Sequence, residues 1–488
     1  MKHIRVCAVL MALILLSTFV CTSCGESDEN GPDTVAETVE EPATDDPYKT
    51  LDLPAEMNFG NYRFSVLTVE ADGLYTEFDV EGYNSDPVND AIYSRNRILE
   101  DRFHVVFETA QDGYDATMSA MQKQVQSGVT GDAAYDLIMQ ICRNAYSLTL
   151  NGMLCDYNRL EYIDIDKEYY FDKVNKQFSI AGKTFFAYGA DSLNVLTQAN
   201  CLLFNQRIVK ERSLPDLYEM VNNLTWTYAE MFKVVTDAAE DKNGDGKMTF
   251  GKDDVMGLVG RNDYTIPNSW MPAGEKLISK DEDDMPFYSA LGNERMESAM
   301  QDMLTFMANP INNVIGNTTP ILEFIKEEAF MLGGGVMHLQ DCKEMESDYG
   351  VVPYPMYDQV QGQYYTRLID GWINCVPANC EDPARTSAIM QALAYYSYGT
   401  VYDAYYELGL QAKYIRDPQS VDMLKLILST MTVDLGDTVW YSSMRSPMTG
   451  SLSGTKGAGQ VTSVLKRMEK VSQNQIRNVT RFLEKNGD

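Results

Sequence analysis

Acidic and amide side chains alternate along one short segment, Asp241 to Thr249, in the spacing that calcium-binding loops use. Oxygens at alternate positions of such a loop converge on one cation, and a glycine at the sixth position, here Gly246, permits the sharp turn. The twelfth position is Lys252, where a bidentate Glu is usual, so Asp253 or Asp254 would have to supply the missing oxygens. The predicted ligands of a structural calcium ion are Asp241, Asn243, Asp245, Lys247 through its carbonyl, Thr249 and Asp253. The alternative is a solvated turn that ends the preceding helix.

Signatures of catalysis are scarce in this chain. It has three histidines, and His3 lies in the N-terminal leader, so a histidine-based zinc site or catalytic triad has little material to draw on. There is no nucleophile elbow, no phosphate-binding glycine loop and no H-E-x-x-H motif. Paired carboxylates, which a glycosidase needs, are the one catalytic feature that the 71 acidic residues could supply. We therefore predict a protein that is not an enzyme.

The N-terminus has the features of a secreted lipoprotein. Lys2 and Arg5 precede an apolar run from Val6 to Val20, which is short for a membrane span and typical of a secretory signal. The small residues before Cys24 resemble a bacterial lipobox, which implies cleavage before Cys24 and a lipid on its sulfur. The alternative is an ordinary signal peptide followed by an incidental cysteine. We predict a signal peptide over 1–23 and an anchor to the extracytoplasmic face of the cell membrane.

An acidic tether is predicted over 24–56. It contains eleven Asp and Glu residues against one lysine, four prolines and few large apolar residues. Such a segment buries too little surface to offset the entropy of ordering, and its like charges extend it. The tether would hold the folded body away from the membrane.

The net charge limits the class of partner, and the cysteine content leaves the disulfide pairing open. The formal net charge of −31 argues against nucleic acid as a partner, because nucleic-acid binders need a basic surface. Six cysteines remain in the body, and they could be buried free thiols or form disulfides in any of 15 pairings. They are Cys142, Cys155, Cys201, Cys342, Cys375 and Cys380.

Apolar patterns predict alternating strands and helices in the first part of the body. Strands are expected over 62–69, 104–109 and 136–141, with helical spacing between them, as in an α/β domain with a largely parallel sheet. Later segments are predicted to be mainly helical. These helices are expected over 228–239, 296–307, 321–330, 387–406 and 460–485.

Several short motifs occur in an order that resembles one family. The segment Phe185–Gly189 is followed by Leu202–Gln206, a glycine run at Gly333–Gly335 and then Tyr349–Pro355. Phe204-Asn205 and Gly350–Pro355 carry the most family-specific elements. Over about 57–488 the chain resembles the family-1 extracellular solute-binding proteins, which are lipid-anchored receptors of sugar-type ABC importers.

The resemblance implies an α/β fold of the two-lobe, periplasmic-binding-protein type II class, with the ligand cleft between the lobes. Three crossings of the chain are expected near 194–198, 331–336 and 370–372. Lobe 1 would comprise 57–194 with 334–371, and lobe 2 would comprise 195–333 with 372–488. Closure of the lobes would trap the ligand.

Aromatic and acidic residues near the expected crossings are the candidate ligand contacts, although each could instead belong to the core. Aromatic faces stack on the apolar patches of sugars, and carboxylates accept hydrogen bonds from sugar hydroxyls. The predicted ligand-binding residues are Trp372, Asp370, Trp270, Tyr188 and Asp191.

The function predicted from these features is capture of a mono- or oligosaccharide and its delivery to the permease subunits of an ABC transporter, by a monomer. Cationic solutes also suit the acidic field. A surface glycan-adhesion lipoprotein and a secreted glycan-active hydrolase are the alternatives from other classes.

Overall fold

The computed structural model describes residues 51–70, 78, 80–127, 134–251 and 254–486. The predicted signal peptide, Cys24 and the tether as far as residue 50 lie outside the described residues, as does Asp253. Within the described part, no helix combines the length and the apolar character needed to cross a membrane. The six cysteines of the body are free thiols.

Strands and helices alternate from the start of the body. The strands are β1 (Tyr62–Val69), β2 (Val105–Asp112), β3 (Leu137–Ile141), β4 (Asn200–Asn205), β5 (Met256–Arg261), β6 (Ile278–Lys280), β7 (Pro286–Tyr288), β8 (Asn313–Ile315), β9 (Ala329–Gly335), β10 (Tyr349–Val352), β11 (Thr366–Arg367), β12 (Trp372–Cys375) and β13 (Met431–Thr432). The α-helices are α1 (Pro87–Phe103), α2 (Tyr114–Gln126), α3 (Cys142–Leu150), α4 (Asp172–Asn175), α5 (Asn194–Thr197), α6 (Gln206–Arg212), α7 (Leu217–Asn222), α8 (Tyr228–Ala238), α9 (Asn262–Thr265), α10 (Glu294–Met307), α11 (Thr319–Ile325), α12 (Pro383–Ser397), α13 (Val401–Asp403), α14 (Ala412–Tyr414), α15 (Pro418–Ser429), α16 (Leu435–Thr438), α17 (Ser446–Leu452) and α18 (Val461–Asn486).

The first sheet has the strand order β12-β3-β1-β2. β1 runs parallel to β2 and β3, whereas β12 is antiparallel to β3. Parallel neighbours require long crossovers, which α1 and α2 supply. α1 begins where the Asp86 carboxylate accepts hydrogen bonds from the backbone N–H groups of Val88 and Asn89. The three strands predicted here from apolar runs are present.

The second sheet has the order β10-β4-β9-β5-β8. β9 contains the run Gly333–Gly335, and a Cβ added at Gly334 would lie 2.7 Å from the His338 ring. A Cβ at Gly333 would lie 2.8 Å from the Tyr354 hydroxyl. The glycines therefore allow close packing against a strand.

Two segments lie in the opposite sheet from the one predicted. β10 pairs with β4 in the second sheet, although 334–371 was assigned to lobe 1. β12 pairs with β3 in the first sheet, although 372–488 was assigned to lobe 2. The expected crossing at 331–336 is also wrong, because this segment lies largely within β9, and β9 and its neighbours along the chain, β8 and β10, all belong to the second sheet. Strand pairing is a long-range property that these short apolar segments do not encode locally.

Two predicted helices are shorter than expected. The helix predicted over 321–330 ends at Ile325, and Glu327 then adopts a left-handed φ of 62° before β9 begins. The helix predicted over 387–406 ends at Ser397, before Gly399 with a φ of 73°. Left-handed residues of this kind terminate helices.

A short parallel pair, β11 with β13, lies where the chain passes from the second sheet to the first. We call these two strands the crossover strands. Arg367 of β11 and Asp437 are both completely buried and form a two-pronged ion pair, with donor–acceptor distances of 2.6 and 3.0 Å. Arg367 also donates to Asn200 at the start of β4, at 3.0 Å. The Arg367 guanidinium thus links the crossover strands to β4 of the second sheet.

Candidate functional site

A cavity of about 660 Å³ opens beside the carboxyl ends of β2 and β3. Helices α2 and α3 begin at these strand ends, and both contribute residues to the wall. The facing wall comes from residues 439–443, which run into a short π-helical segment at Tyr441–Arg445, and from the last part of α18. Ligands of open α/β sheets bind at this edge, so the cavity is our candidate ligand site.

Two aromatic side chains, Tyr146 and Trp440, belong to the apolar part of the wall, which also contains Met118, Leu150, Val439 and Phe482. The rings of Tyr146 and Trp440 meet edge to face, with centroids 6.5 Å apart. Among the described residues, neither the Tyr146 hydroxyl nor the Trp440 indole Nε1 has a hydrogen-bond partner, although both atoms are buried. Burial raises the pKa of Tyr146, so the hydroxyl keeps its proton. Two donors of wall residues are therefore without an acceptor, a costly arrangement that a polar ligand would relieve once movement of the wall uncovers them.

Tyr441 lies between two guanidinium groups. Arg445 stands over its ring at 4.3 Å and Arg143 at 5.5 Å, measured from each guanidinium carbon to the ring centroid. Arg143 also pairs with Asp370. These contacts fix the orientation of Tyr441 and of Arg143, both of which line the cavity.

Most of the remaining lining residues are hydrophilic. Arg481 and Lys485 lie at the exposed end of α18, and Asp115 begins α2. Hydroxyl and amide side chains complete the wall, with Asn144, Ser147, Asn151, Ser442, Ser443, Gln475 and Asn478. A wall with aromatic rings and many neutral hydrogen-bonding groups suits a neutral polyhydroxylated molecule.

The five predicted ligand residues lie outside this wall. Asp370 contacts the wall indirectly, because it forms an ion pair with the cavity residue Arg143. Trp372 lies at the same edge of the first sheet, opposite Ile141, and packs in a small apolar cluster with Val69 and Met139.

The other three predicted residues are packed inside the protein. Trp270 is fully buried, and its indole donates to Asp434 at 3.3 Å. Tyr188 is fully buried beside Gly371. Asp191 accepts a hydrogen bond from Asn374 at 3.1 Å, and burial raises its pKa. None of these three side chains lines the cavity, and their role in binding stays a prediction.

Sequence reasoning did not select the residues that line the cavity. Trp440 is not among the predicted ligand residues, and Arg143 carries no motif. One usable signal exists: α3 begins directly after the buried strand β3, so Arg143 and Asn144 must lie at the carboxyl edge of the sheet.

The predicted calcium loop is folded around its own backbone. Asp241 accepts hydrogen bonds from Gly244 and Gly246, each at 2.7 Å. Asp254 accepts from Lys242 at 3.2 Å and from Thr249 at 2.8 Å, so its carboxylate closes the loop. Among the residues that the structure describes, which omit Asp253, no three His, Cys, Asp or Glu side chains converge as metal ligands. Calcium binding therefore stays a prediction.

Solved structures of binding proteins share this fold. A galacto-N-biose/lacto-N-biose I-binding protein of an ABC transporter from Bifidobacterium longum, in complex with lacto-N-biose, aligns with a TM-score of 0.59 and 11% identity, over 86% of this chain and 98% of that chain. A cyclic α-maltosyl-1,6-maltose binding protein from Arthrobacter globiformis aligns with a TM-score of 0.58 and 13% identity, over 86% and 100%. UgpB from Mycobacterium tuberculosis, in complex with glycerophosphocholine, aligns with a TM-score of 0.54 and 16% identity, over 81% and 98%.

Comparisons at the level of sequence find no such match. No family model matches the chain, and neither does any curated protein. Identities of 11–16% establish the fold alone. At that level the predicted resemblance is confirmed: the chain has the mixed α/β, two-lobe fold of the solute-binding proteins of ABC importers.

Proposed function

We propose that this protein is an extracytoplasmic solute-binding lipoprotein, which captures a mono- or oligosaccharide and delivers it to an ABC transporter permease. The fold supports solute binding in general, because the structural neighbours named above are binding proteins. The choice of a carbohydrate, the lipid anchor at Cys24 and the permease partner are parts of the proposal.

The pair of unpartnered donors at Tyr146 and Trp440 carries the proposal. Both atoms are buried and both residues line the cavity. A sugar hydroxyl is donor and acceptor at once, so it can accept from Tyr146 or Trp440 and donate to a neighbouring amide or hydroxyl. The Trp440 ring, which lines the cavity, supplies an apolar face for the C–H side of a pyranose.

We expect the cavity to enclose its ligand by closing, because its two walls come from different parts of the fold. Arg143 and Asn144 belong to the helix after β3 of the first sheet. The facing residues Trp440 and Tyr441 follow the crossover strand β13 and the helix α16. Movement about the crossover would therefore widen or narrow the cavity, which is how binding proteins of two lobes enclose a ligand.

Removal of single polar atoms tests the proposal at the cavity. Tyr146→Phe deletes only the hydroxyl, and Trp440→Phe deletes the indole N–H while it keeps an aromatic ring. One neutral hydrogen bond is worth about 0.5–1.5 kcal/mol, so each variant should bind the sugar roughly two- to tenfold more weakly in calorimetric titration.

Tyr83→Phe is the matched control. Tyr83 is 68% exposed and does not line the cavity, so its loss of a hydroxyl should leave sugar affinity unchanged. Equal affinity of wild type, Tyr146→Phe and Trp440→Phe for the sugar would refute the assignment of this cavity. Turnover of the sugar would instead favour a glycan-active enzyme.

A further inference from the structure

A second cavity, of about 610 Å³, lies beside the crossover strands. Its walls come from segments that are far apart in the chain. They are α4 with the residues that follow it, the strand β6, the loop at 363–365 and the segment 429–435, which contains β13. This cavity shares no residue with the candidate sugar site.

The lining of this cavity is strongly basic. Four lysines contribute to it, Lys173, Lys176, Lys276 and Lys280, and Asp172 is the one acidic residue in the lining. The whole chain has 40 Lys and Arg residues against 71 Asp and Glu. The positive charge of this cavity therefore contrasts with the negative net charge of the whole chain.

Lys276 has no ion pair within the described residues. Its ammonium donates to the side-chain carbonyl of Gln177. Asp434 lies close enough to act on it electrostatically, but the Asp434 oxygens accept from the backbone N–H groups of Leu277, Ile278 and Gly436, at 2.6, 3.2 and 2.8 Å. Burial lowers the pKa of Lys276 to about 8. A counter-charge in the cavity would remove this penalty.

The other lysines differ in how firmly they are held. Lys280 donates to Asp284 at 2.9 Å and to the backbone carbonyl of Lys176 at 3.0 Å, so it is part of the framework. Lys176 pairs with Asp172 at 2.7 Å. Lys173 is exposed, and no ion pair is found for it among the described residues. Lys173 and Lys276 are thus the two cations available to a ligand.

We propose that this cavity binds a compact, multiply charged oxyanion of the phosphate or polycarboxylate type. Two or more negative charges match Lys276 and Lys173, and Lys176 can turn to the ligand from its exposed pair. Thr432 lies in the same wall, and its hydroxyl, whose contact to the Gln177 carbonyl is 3.5 Å long, is a further donor. The proposal does not depend on the nature of the main solute.

Calorimetric titration with pyrophosphate and with citrate tests the proposal, at constant ionic strength set with sodium chloride. Both probes should bind saturably to the wild-type protein, and the tighter of the two identifies phosphate or carboxylate as the preferred group. Lys276→Met should weaken binding about tenfold or more, as expected for the loss of one charge-assisted hydrogen bond. Lys173→Gln should weaken it by a smaller factor.

Lys466→Gln is the control for overall charge, because Lys466 is exposed on α18 and does not line the cavity. It should leave the affinity unchanged. Acetylation of the wild-type protein provides a test without any variant: pyrophosphate or citrate should protect Lys276 and leave Lys466 reactive. Absence of saturable binding by either probe, or an equal loss of affinity in Lys276→Met and Lys466→Gln, would overturn the proposal.

Discussion

Replacement of Asp437 by asparagine tests whether a buried ion pair holds the crossover to the second sheet. Neither Asp437 nor Arg367 has any exposed surface, and two hydrogen bonds of 2.6 and 3.0 Å join them. Arg445 lies 3.9 Å from the same carboxylate, so Asp437→Asn leaves two buried guanidinium groups without this counter-charge. Loss of one partner of a buried pair costs about 3–5 kcal/mol, and we expect Asp437→Asn near the upper value.

Arg367→Met should cost less, about 3 kcal/mol, because Asp437 then keeps Arg445 as a partner. Urea unfolding measures both free energies. The control is Asp237→Asn, which breaks an exposed pair with Lys233 four residues away and should cost about 0.5 kcal/mol or less. If Asp437→Asn is no more destabilising than this control, or less destabilising than Arg367→Met, the reasoning about the pair is wrong.

Three further predictions concern other parts of the chain. Burial lowers the pKa of His338 from 6.5 to about 4 in the folded protein. Because the unfolded chain then binds a proton at a higher pH than the folded protein does, the free energy of unfolding should fall by up to about 3 kcal/mol as the pH drops from 6.5 to 4. His338→Gln should reduce that fall in urea unfolding, and an unchanged pH profile would contradict it. Calcium should raise the melting temperature, and both a chelator and Asp241→Asn should abolish the rise; no response to calcium in the wild-type protein would contradict the metal site. Cys24→Ser should release the protein from membranes, whereas retention after a salt wash would contradict a lipid anchor.

The local elements of the fold could be predicted from sequence, because their signals are local. β3 is a largely apolar run that is buried on both faces, and the second half of β1 is buried in the same way. The helices α8, α10 and α18 begin and end within two residues of the bounds predicted from their apolar spacing. The ends of α11 and α12 were missed, because they depend on left-handed residues, Glu327 and Gly399, that an apolar pattern does not reveal.

The assignment of strands to sheets could not be predicted in the same way. Tyr349–Val352 and Trp372–Cys375 are both short, apolar and completely buried, so nothing within them selects one sheet. Their partners, β4 and β3, lie more than a hundred residues away in the chain. That choice follows from the packing of the whole protein.

The lining of the candidate site could not be predicted from the sequence. Asp370 and Trp372 were selected because they lie at an expected crossing of the chain; neither lines the cavity, although Asp370 pairs with the cavity residue Arg143. The cavity itself forms when Arg143 meets Tyr441, almost three hundred residues later in the sequence. A single sequence carries no signal for such a contact.

Binding of a saccharide in the cavity beside Tyr146 and Trp440 is the central claim, and thermal melting against a panel of mono- and oligosaccharides tests it most directly. A ligand at a hundred times its dissociation constant should stabilise the wild-type protein by about 2.7 kcal/mol. The account predicts that one class of sugar raises the melting temperature of the wild type, and that the rise shrinks in Tyr146→Phe and Trp440→Phe but persists in Tyr83→Phe. No response to any sugar, or an equal response in all four proteins, would contradict it.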